Sequence, residues 1–412
     1  MSAVLFLHGD SAGDVLGSNG RALSEDFAAA GYTLHSMAVN DPLLLDTVSG
    51  LLADGLVFAF GYAGIGSAIR VGDASLWALA QVPFFSLYGD SPAYFFDLHA
   101  QQCPWQAGLY GYADHLALRR SLPARAGTLG VAHTMTIPFP AALRAGLDRR
   151  QKRAGKLIFL KNGNDPTALM LAWQRELPTP LALRLLALAE VLMARLDAAT
   201  HAQILALLDA ALEDLGLDPQ DLLKPRLFLL AQLDDFVRRV KSQFLANVLL
   251  DYPTEIHGFH WSHLKTEGRV GKVVLHADYG HSNFLIRDAL ALIDMSPNTL
   301  DGFHDRQQRA IGARTLCMTN RQPHLAEMAT EAERFQFDFR EDSLRGRIEW
   351  ALSDPDAVLD LGEEVAERYR ARYPFAAFID GMVEMSGLIR LKNAAASPLS
   401  AQNYLIWPPR SF

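Results

Sequence analysis

The residues Ala291-Leu-Ile-Asp-Met-Ser-Pro-Asn-Thr-Leu-Asp-Gly-Phe-His-Asp-Arg306 read as a buried strand, a polar loop and the opening of a helix. A helix that opens near Gly302 to His304 offers backbone N–H groups with no intrahelical partner and the positive end of its dipole, which together suit a phosphate or diphosphate. His304 and Arg306 add charge-assisted donors, with Asp305 between them, and Ser296 and Asn298 supply polar groups on the loop. Lys161-Asn162-Gly163-Asn164-Asp165-Pro166 follows another strand-like run. There Gly163 permits close approach of the backbone and Lys161 offers a cation, although the same residue types also make ordinary turns. His8 and Asp90, each at the end of an apolar run, are the side chains best placed to take a proton, and each can equally cap a loop; Asp10 is a weaker third. Gly61-Tyr-Ala-Gly64-Ile-Gly66 also follows a strand, but its spacing is not the dinucleotide fingerprint.

These residues need elements to hold them. Up to about residue 140 the chain alternates short apolar runs with amphipathic segments, the pattern of strand–helix units and a parallel sheet. The predicted strands are Val4 to His8, Thr33 to Val39, Leu56 to Phe60, Phe84 to Tyr88 and Thr128 to Ala132. Arg149-Arg150-Gln151-Lys152-Arg153 reads as a solvated linker and hinge, after which Lys156 to Leu160 begins a second sheet. Residues 168–250 are Leu- and Ala-rich at helical spacing, punctuated by Pro178, Pro180 and Pro225. Strand-like runs resume at Thr254 to His257, Val273 to His276, Leu290 to Asp294 and Thr315 to Thr319. The expected organisation is therefore α/β: a Rossmann-like domain over 1–150, a second over 151–385 carrying a helical insertion at about 168–250, and a tail over 386–412 that crosses back to the first. A cleft between the two sheets is the default ligand site.

Composition narrows the classes. A chain of 412 residues, 50% hydrophobic, has material for two cores. Its formal charge of −8 supplies no general basic field for nucleic acid or an anionic membrane. No run of the sequence is apolar enough to span a bilayer, the amino terminus lacks a basic leader, and two distant cysteines fit a reducing cytoplasm. No Cys/His spacing suggests a metal site. His99, His115 and His133 read as hydrogen-bonded structural residues, and Trp77, Trp105, Trp173, Trp350 and Trp407 as core or interface. Asp209, Glu213 and Asp214 read as a solvated helix face.

The carboxyl-terminal constellation resembles the CgeB-like branch of the GT-B glycosyltransferases, in which a strand ends in a Ser-Pro-like loop, a Gly-containing turn and a His-acid-Arg helix start. Phe85-Ser-Leu-Tyr-Gly-Asp90-Ser-Pro92, Thr134-Met-Thr-Ile-Pro138-Phe-Pro140 and Glu255-Ile-His-Gly258-Phe-His-Trp261 are similar to further motifs of that branch. The resemblance implies a GT-B fold and a cytoplasmic, metal-independent transferase without a cofactor. It would move a sugar from a nucleoside diphosphate-sugar to a glycan, protein or small-molecule acceptor, and the net charge of −8 speaks separately against a nucleic-acid partner. It places Gly258 and Trp261 with Lys161, Asn162, Gly163, Asn164, Ser296, Asn298, Gly302, His304, Asp305 and Arg306 at the donor, while His8 and Asp90, by their strand-end positions in the first domain, are the candidates for the catalytic base. One departure stands out: the branch carries a Glu about a turn after the Arg to bind ribose, whereas this chain has Gln308 and Arg309. An arginine cannot accept a hydrogen bond, so either another carboxylate such as Asp301 or Asp305 holds the ribose or the donor nucleotide is handled differently.

A rival reading takes Gly9-Asp10-Ser11, Gly163-Asn164-Asp165 and Asp278-x-x-His281 as the blocks of an SGNH-type esterase. Ser11 would be nucleophile, His281 its base, Asp278 the orienting acid and Asn164 an oxyanion donor. Gly-Asp-Ser recurs at Gly89-Asp90-Ser91, and the reading leaves the Ser296 to Arg306 stretch unexplained. A nucleotide-sugar epimerase or a non-catalytic nucleotide-sugar binder on the same fold is the third possibility.

Overall fold

The computed structural model describes residues 2–9, 17, 20–100, 103–122, 129–132, 149–275, 278–394 and 404–406, with backbone alone at 129–132 and 404–406. Asp10, Ser11, His133, the Thr134 to Pro140 motif and Trp407 lie outside the described residues. The chain forms two compact units, one of Met1–Ala142 with Arg370–Phe412, the other of Leu143–Tyr369.

The first unit is built on strands β1 (Ser2–His8), β2 (Tyr32–Ala38), β3 (Leu56–Tyr62), β6 (Phe84–Tyr88), β7 (Gln106–Tyr110), β8 (Leu129–Ala132) and β15 (Tyr404–Ile406). A small antiparallel pair, β4 (Arg70–Val71) and β5 (Ala74–Ser75), intervenes. The sheet order is β15-β8-β7-β6-β3-β1-β2, parallel throughout. Strand periodicity sorts the core: Val4 and Phe6 pack into one cluster with Phe27, Phe58 and Phe60, while Ala3, Leu5 and Leu7 enter another with Val48, Ala59 and Trp77. Strand β7 has no β-branched residue and escapes a reading by strand propensity.

The chain returns to this unit earlier than the expected boundary at residue 386. Helix Phe375–Ala394 runs through that position, and Phe378, Ile379, Met382, Met385 and Ile389 complete the first apolar cluster. Without this helix the sheet face carrying Phe58, Phe60 and Phe85 would lose its cover.

The second unit carries β9 (Leu157–Leu160), β10 (Thr254–His257), β11 (Lys272–Val274), β12 (Ala291–Ile293), β13 (Leu316–Asn320) and β14 (Gln336–Phe337). They run parallel in the order β11-β10-β9-β12-β13-β14. Counted within the unit this is 3-2-1-4-5-6, the doubly wound order whose ligand crevice lies where the strand order reverses, outside the carboxyl ends of β9 and β12. The insertion is helical as expected: Pro166–Glu176, Thr179–Met193, His201–Glu213 and Leu223–Leu249.

Two charged stretches expected to be solvated are held against the protein instead. The basic run is a helix, Arg149–Arg153, docked on the second unit. Lys152 is 4% exposed, and its Nζ donates to the Ala313 carbonyl (2.6 Å) and the Thr315 hydroxyl (2.7 Å). The ammonium thus satisfies a carbonyl just past the end of helix Asp305–Gly312, where a cation is favoured. Arg149 and Arg153 pair with Asp360 and Asp356 at 2.7 and 2.6 Å. Asp209 is likewise no free solvated acid, since it receives both Nε and Nη2 of the buried Arg226 at 2.6 Å. Helix packing on the first sheet predicts that Ile379→Ala, at a fully buried position, lowers stability by about 2 to 5 kcal/mol in chemical denaturation of the whole chain.

Candidate functional site

The reversal point of the second sheet brings the two candidate loops together. Ile293 is in register with Phe159 and His257 with Leu160, so the segment after β12 leaves the sheet beside Lys161 and beside the segment after β10.

Asp294, the first residue after β12, is fully buried. Arg306 directs Nε and Nη2 to its Oδ1, each at 2.9 Å, and the Nδ1 of His304 lies 3.5 Å from its Oδ2. Burial alone would raise this carboxyl, but Arg306 and His304 outweigh it and hold the group below the usual carboxylate range. The Arg306 side chain is only 14% exposed, and its pKa is raised above the ordinary arginine value because Asp294 and Asp305 overcome its desolvation.

Helix Asp305–Gly312 opens directly at this ion pair. His304 is its N-cap, and the Oε1 of Gln307 accepts from the His304 backbone N–H at 3.1 Å. The Nδ1 of His304 lies 2.9 Å from Asp305 Oδ1 and 3.4 Å from the Arg306 backbone N–H. One nitrogen cannot donate to the first and accept from the second. The shorter contact favours a protonated Nδ1 on Asp305, which removes the ring as an acceptor for the Arg306 N–H. Asp305 itself is held below the usual carboxylate range: desolvation pulls upward, and His304, Arg309 and Arg306 prevail. Its side chain is 37% exposed, so solvent screens much of that attraction.

Lys161 faces the same place with a different balance. Among the described residues its ammonium has no hydrogen-bond or carboxylate partner. Burial, then repulsion by Arg306 and Arg238, lowers its pKa to about 8 against a weaker pull from Asp294 and Asp235. The loop that presents it is stitched to the segment after β10. Lys161 N–H donates to the His257 carbonyl (3.0 Å), the Asn162 side-chain oxygen accepts from Phe259 N–H (2.9 Å), and Gly163 N–H donates to the Phe259 carbonyl (2.8 Å). Trp261 closes the stitch through Nε1–H to the Lys161 carbonyl at 2.9 Å. A Cβ on Gly163 would overlap the Trp261 ring, and one on Gly258 would overlap the Lys161 carbonyl, so both glycines are required by close approach.

The expected site residues thus divide by position. Asn162 and Asn164 are exposed, and Lys161, His304, Asp305 and Arg306 are partly exposed. Gly163, Gly258, Trp261, Ser296, Asn298 and Gly302 are buried and build the loops. Ser296 N–H donates to Asn320 Oδ1 at 2.8 Å, with its hydroxyl 3.3 Å from Asn320 Nδ2. Asn298 is consumed within the protein by Asp234 and Lys241. Asp294 was not singled out by sequence reasoning, although an acid at the end of an apolar strand, twelve residues before an Arg on a helix start, is the signal that marks it.

The place of the missing Glu is also occupied. Gln308 donates to the Phe303 carbonyl (2.9 Å). Arg309 donates to Ser282 Oγ (2.7 Å) and Asn283 Oδ1 (3.0 Å), and lies over the Tyr279 ring at 4.3 Å. Gln308 braces the loop before its own helix, Arg309 fastens that helix to helix Tyr279–Asp288, and neither offers a carboxylate.

In the first unit, His8 ends β1 and Asp90 follows β6, two strands that flank β3. His8 Nδ1 lies 2.6 Å from the Gly9 carbonyl, which only accepts, so Nδ1 carries a proton. Asp90 is exposed. His99 is core, stacked on Tyr88 at 3.9 Å and 3.0 Å from the Tyr110 hydroxyl, and burial lowers its pKa to about 3. The Asp278 of the esterase reading caps helix Tyr279–Asp288 by accepting from the backbone N–H of His281, and both residues are exposed. The described residues show no Asp–His side-chain pairing there.

No family model matches the chain, and no curated protein matches it. Among solved structures it is similar to a DNA-modifying beta-glucosyltransferase determined with and without its substrate uridine diphosphoglucose, with a TM-score of 0.53 and 8% identity over 94% of this chain and 100% of that one. An alpha-glucosyltransferase in complex with UDP and a 13-mer DNA gives 0.49 at 9% identity, over 93% of this chain and 99% of that one. MurG of Acinetobacter baumannii gives 0.33 at 9% identity over the same shares. The fold is the two-domain GT-B architecture.

The ion pair at the helix start yields a stability prediction. Removing the guanidinium strands a fully buried carboxylate, so Arg306→Ala should cost about 3 to 5 kcal/mol in equilibrium denaturation, and Asp294→Asn in that background should recover part of it. Equal stability of Arg306→Ala and the wild type would show that the pair is not buried in solution.

Proposed function

We propose that the protein is a glycosyltransferase that binds a nucleoside diphosphate-sugar at the loops after β9 and β12 and moves the sugar to an acceptor held by the first unit. The observation that carries this reading is the Lys161 ammonium: partly buried, without a partner among the described residues, and set beside Arg306 and an open helix start at the point where the strand order reverses. A cation desolvated without a counter-ion is costly unless an anion completes the site. A diphosphate supplies the oxygens that the Arg306 N–H, the His304 ring and Lys161 can meet together. The beta-glucosyltransferase of similar fold has uridine diphosphoglucose as its substrate, which supports the same donor class.

Within this reading the chain is a CgeB-like enzyme, on the strength of its Ser296 to Arg306 stretch, and it acts in the cytoplasm. It needs neither metal nor cofactor, since Lys161 and Arg306 supply the positive charge on the leaving diphosphate. No helix among the described residues is long and apolar enough to cross a membrane. His8, with Nε2 as its basic nitrogen, and Asp90 are the candidates for the base that deprotonates the acceptor. With a net charge of −8, a glycan, protein or small-molecule acceptor suits the chain better than a nucleic acid. A DNA duplex belongs in the acceptor screen, because the structurally similar beta-glucosyltransferase modifies DNA.

Two measurements test the reading. Isothermal titration with UDP, GDP, CDP and ADP, with and without EDTA, should give binding of at least one nucleotide that is indifferent to the chelator. Lys161→Met should weaken that binding about tenfold or more. Binding should also fall with pH in a defined window: the ammonium is charged below about 8 and attracts the diphosphate, whereas the neutral amine above it does not. A bound anion raises the group's pKa, so the loss runs from about 8 upward, and Lys161→Met should flatten it. A pH profile with the same alkaline limb in Lys161→Met would remove this residue from the site.

A further inference from the structure

Helix Leu223–Leu249 belongs to the insertion, yet one face of it grips both loops of the site. Asp234, with no exposed surface, accepts from Asn298 Nδ2 at Oδ1 (3.0 Å) and at its backbone carbonyl (3.1 Å). Its other oxygen, Oδ2, is 2.8 Å from the Nε of Arg238. Lys241 Nζ donates to Asn298 Oδ1 at 2.9 Å, and Ser242 Oγ lies 3.5 Å from Met295 Sδ. Arg239, paired with Asp235 at 2.6 Å, donates from Nη1 to the Asp165 carbonyl at 3.2 Å. The helix therefore holds the β12 loop through Asn298 and Met295, and the β9 loop through Asp165.

The network is chemically expensive for a mere prop. Asp234, Lys241 and Asn298 are each 3% exposed or less, and apolar residues of similar volume commonly stabilise such a position as well or better. Asn298 also stands in the left-handed region at φ +58, a conformation that needs local support. What the polar network supplies is a fixed location for the Arg238 guanidinium. That side chain is 19% exposed and near enough to Lys161 for the two cations to repel, from a different element than either Lys161 or Arg306.

We propose that Arg238 is a third cation of the diphosphate site, delivered by the helical insertion, with Asp234 and Asn298 as its positioning residues. The proposal rests on the diphosphate reading of the Lys161 and Arg306 loops. The insertion then does more than cover the sheet: through the single carboxylate of Asp234 it sets Arg238 in place relative to Asn298 and the loop after β12.

The test is titration of full-length wild type, Arg238→Gln, Arg238→Lys and Lys161→Met with UDP, GDP, ADP and inorganic pyrophosphate. Uridine, guanosine and adenosine serve as phosphate-free controls. Arg238→Gln should weaken the diphosphate about tenfold or more and leave the matching nucleoside unchanged, and its log Kd should depend less steeply on log salt. Arg238→Lys should recover part of the loss, and it carries the test alone if the Gln variant fails to fold: weaker diphosphate with unchanged nucleoside supports the proposal. Unaltered diphosphate affinity in the Arg238 variants, with Lys161→Met weakened, overturns the role of Arg238 and leaves the diphosphate reading intact. Parallel loss of diphosphate and nucleoside overturns it in favour of a structural role. Failure of the wild type to bind any diphosphate overturns the reading and this proposal together.

Discussion

The carboxylate of Asp294 is the constraint on which the candidate site depends. It sits at the end of a central strand with no exposed surface, so its charge is tolerable only while Arg306 stays against it. That requirement fixes the register of helix Asp305–Gly312 relative to β12 and aims the helix start at the reversal point of the sheet. It also means that much of the Arg306 charge is already answered within the protein. Lys161, which lacks such an answer among the described residues, is therefore the more telling cation for a ligand, although Arg306 is the more conspicuous in the sequence.

Around this pair the residues fall into a cradle and a reachable rim. Trp261, Gly163, Gly258, Ser296 and Asn298 spend their polar groups or their smallness on joining loops to one another. Lys161, Asn162, Asn164, His304, Asp305 and Arg306 keep part of their surface outward. A buried Trp whose indole nitrogen caps the Lys161 carbonyl and a Gly that admits the Trp ring are a matched device: enlarging the Gly displaces the ring, and losing the ring frees the loop that carries the ammonium.

Much of the architecture was legible because parallel strands buried on both faces read as apolar runs closed by a polar break. The runs at Val4, Phe84, Lys156, Thr254, Leu290 and Thr315 all correspond to strands. Strand β7 was not legible, since Gln106-Ala-Gly-Leu-Tyr110 carries neither alternation nor β-branching and is held by its two neighbours. Arg149 to Arg153 misled for the opposite reason: a lysine among arginines reads as solvated, and nothing local shows that its stem is buried while its ammonium caps a distant carbonyl. The helix start at His304 was legible from its residue types, whereas the grip of Asp234 and Lys241 on Asn298 spans 64 and 57 residues and leaves only a charged patch on a Leu-rich helix as its trace.

The most direct test of the central claim, that the diphosphate site is built from the β9 and β12 loops, is amide hydrogen exchange of the whole chain with and without the nucleoside diphosphate it binds. Binding is expected to slow exchange at residues 161–164 and 303–307. Unchanged exchange at both segments, with protection confined to loops of the first unit, would contradict the claim.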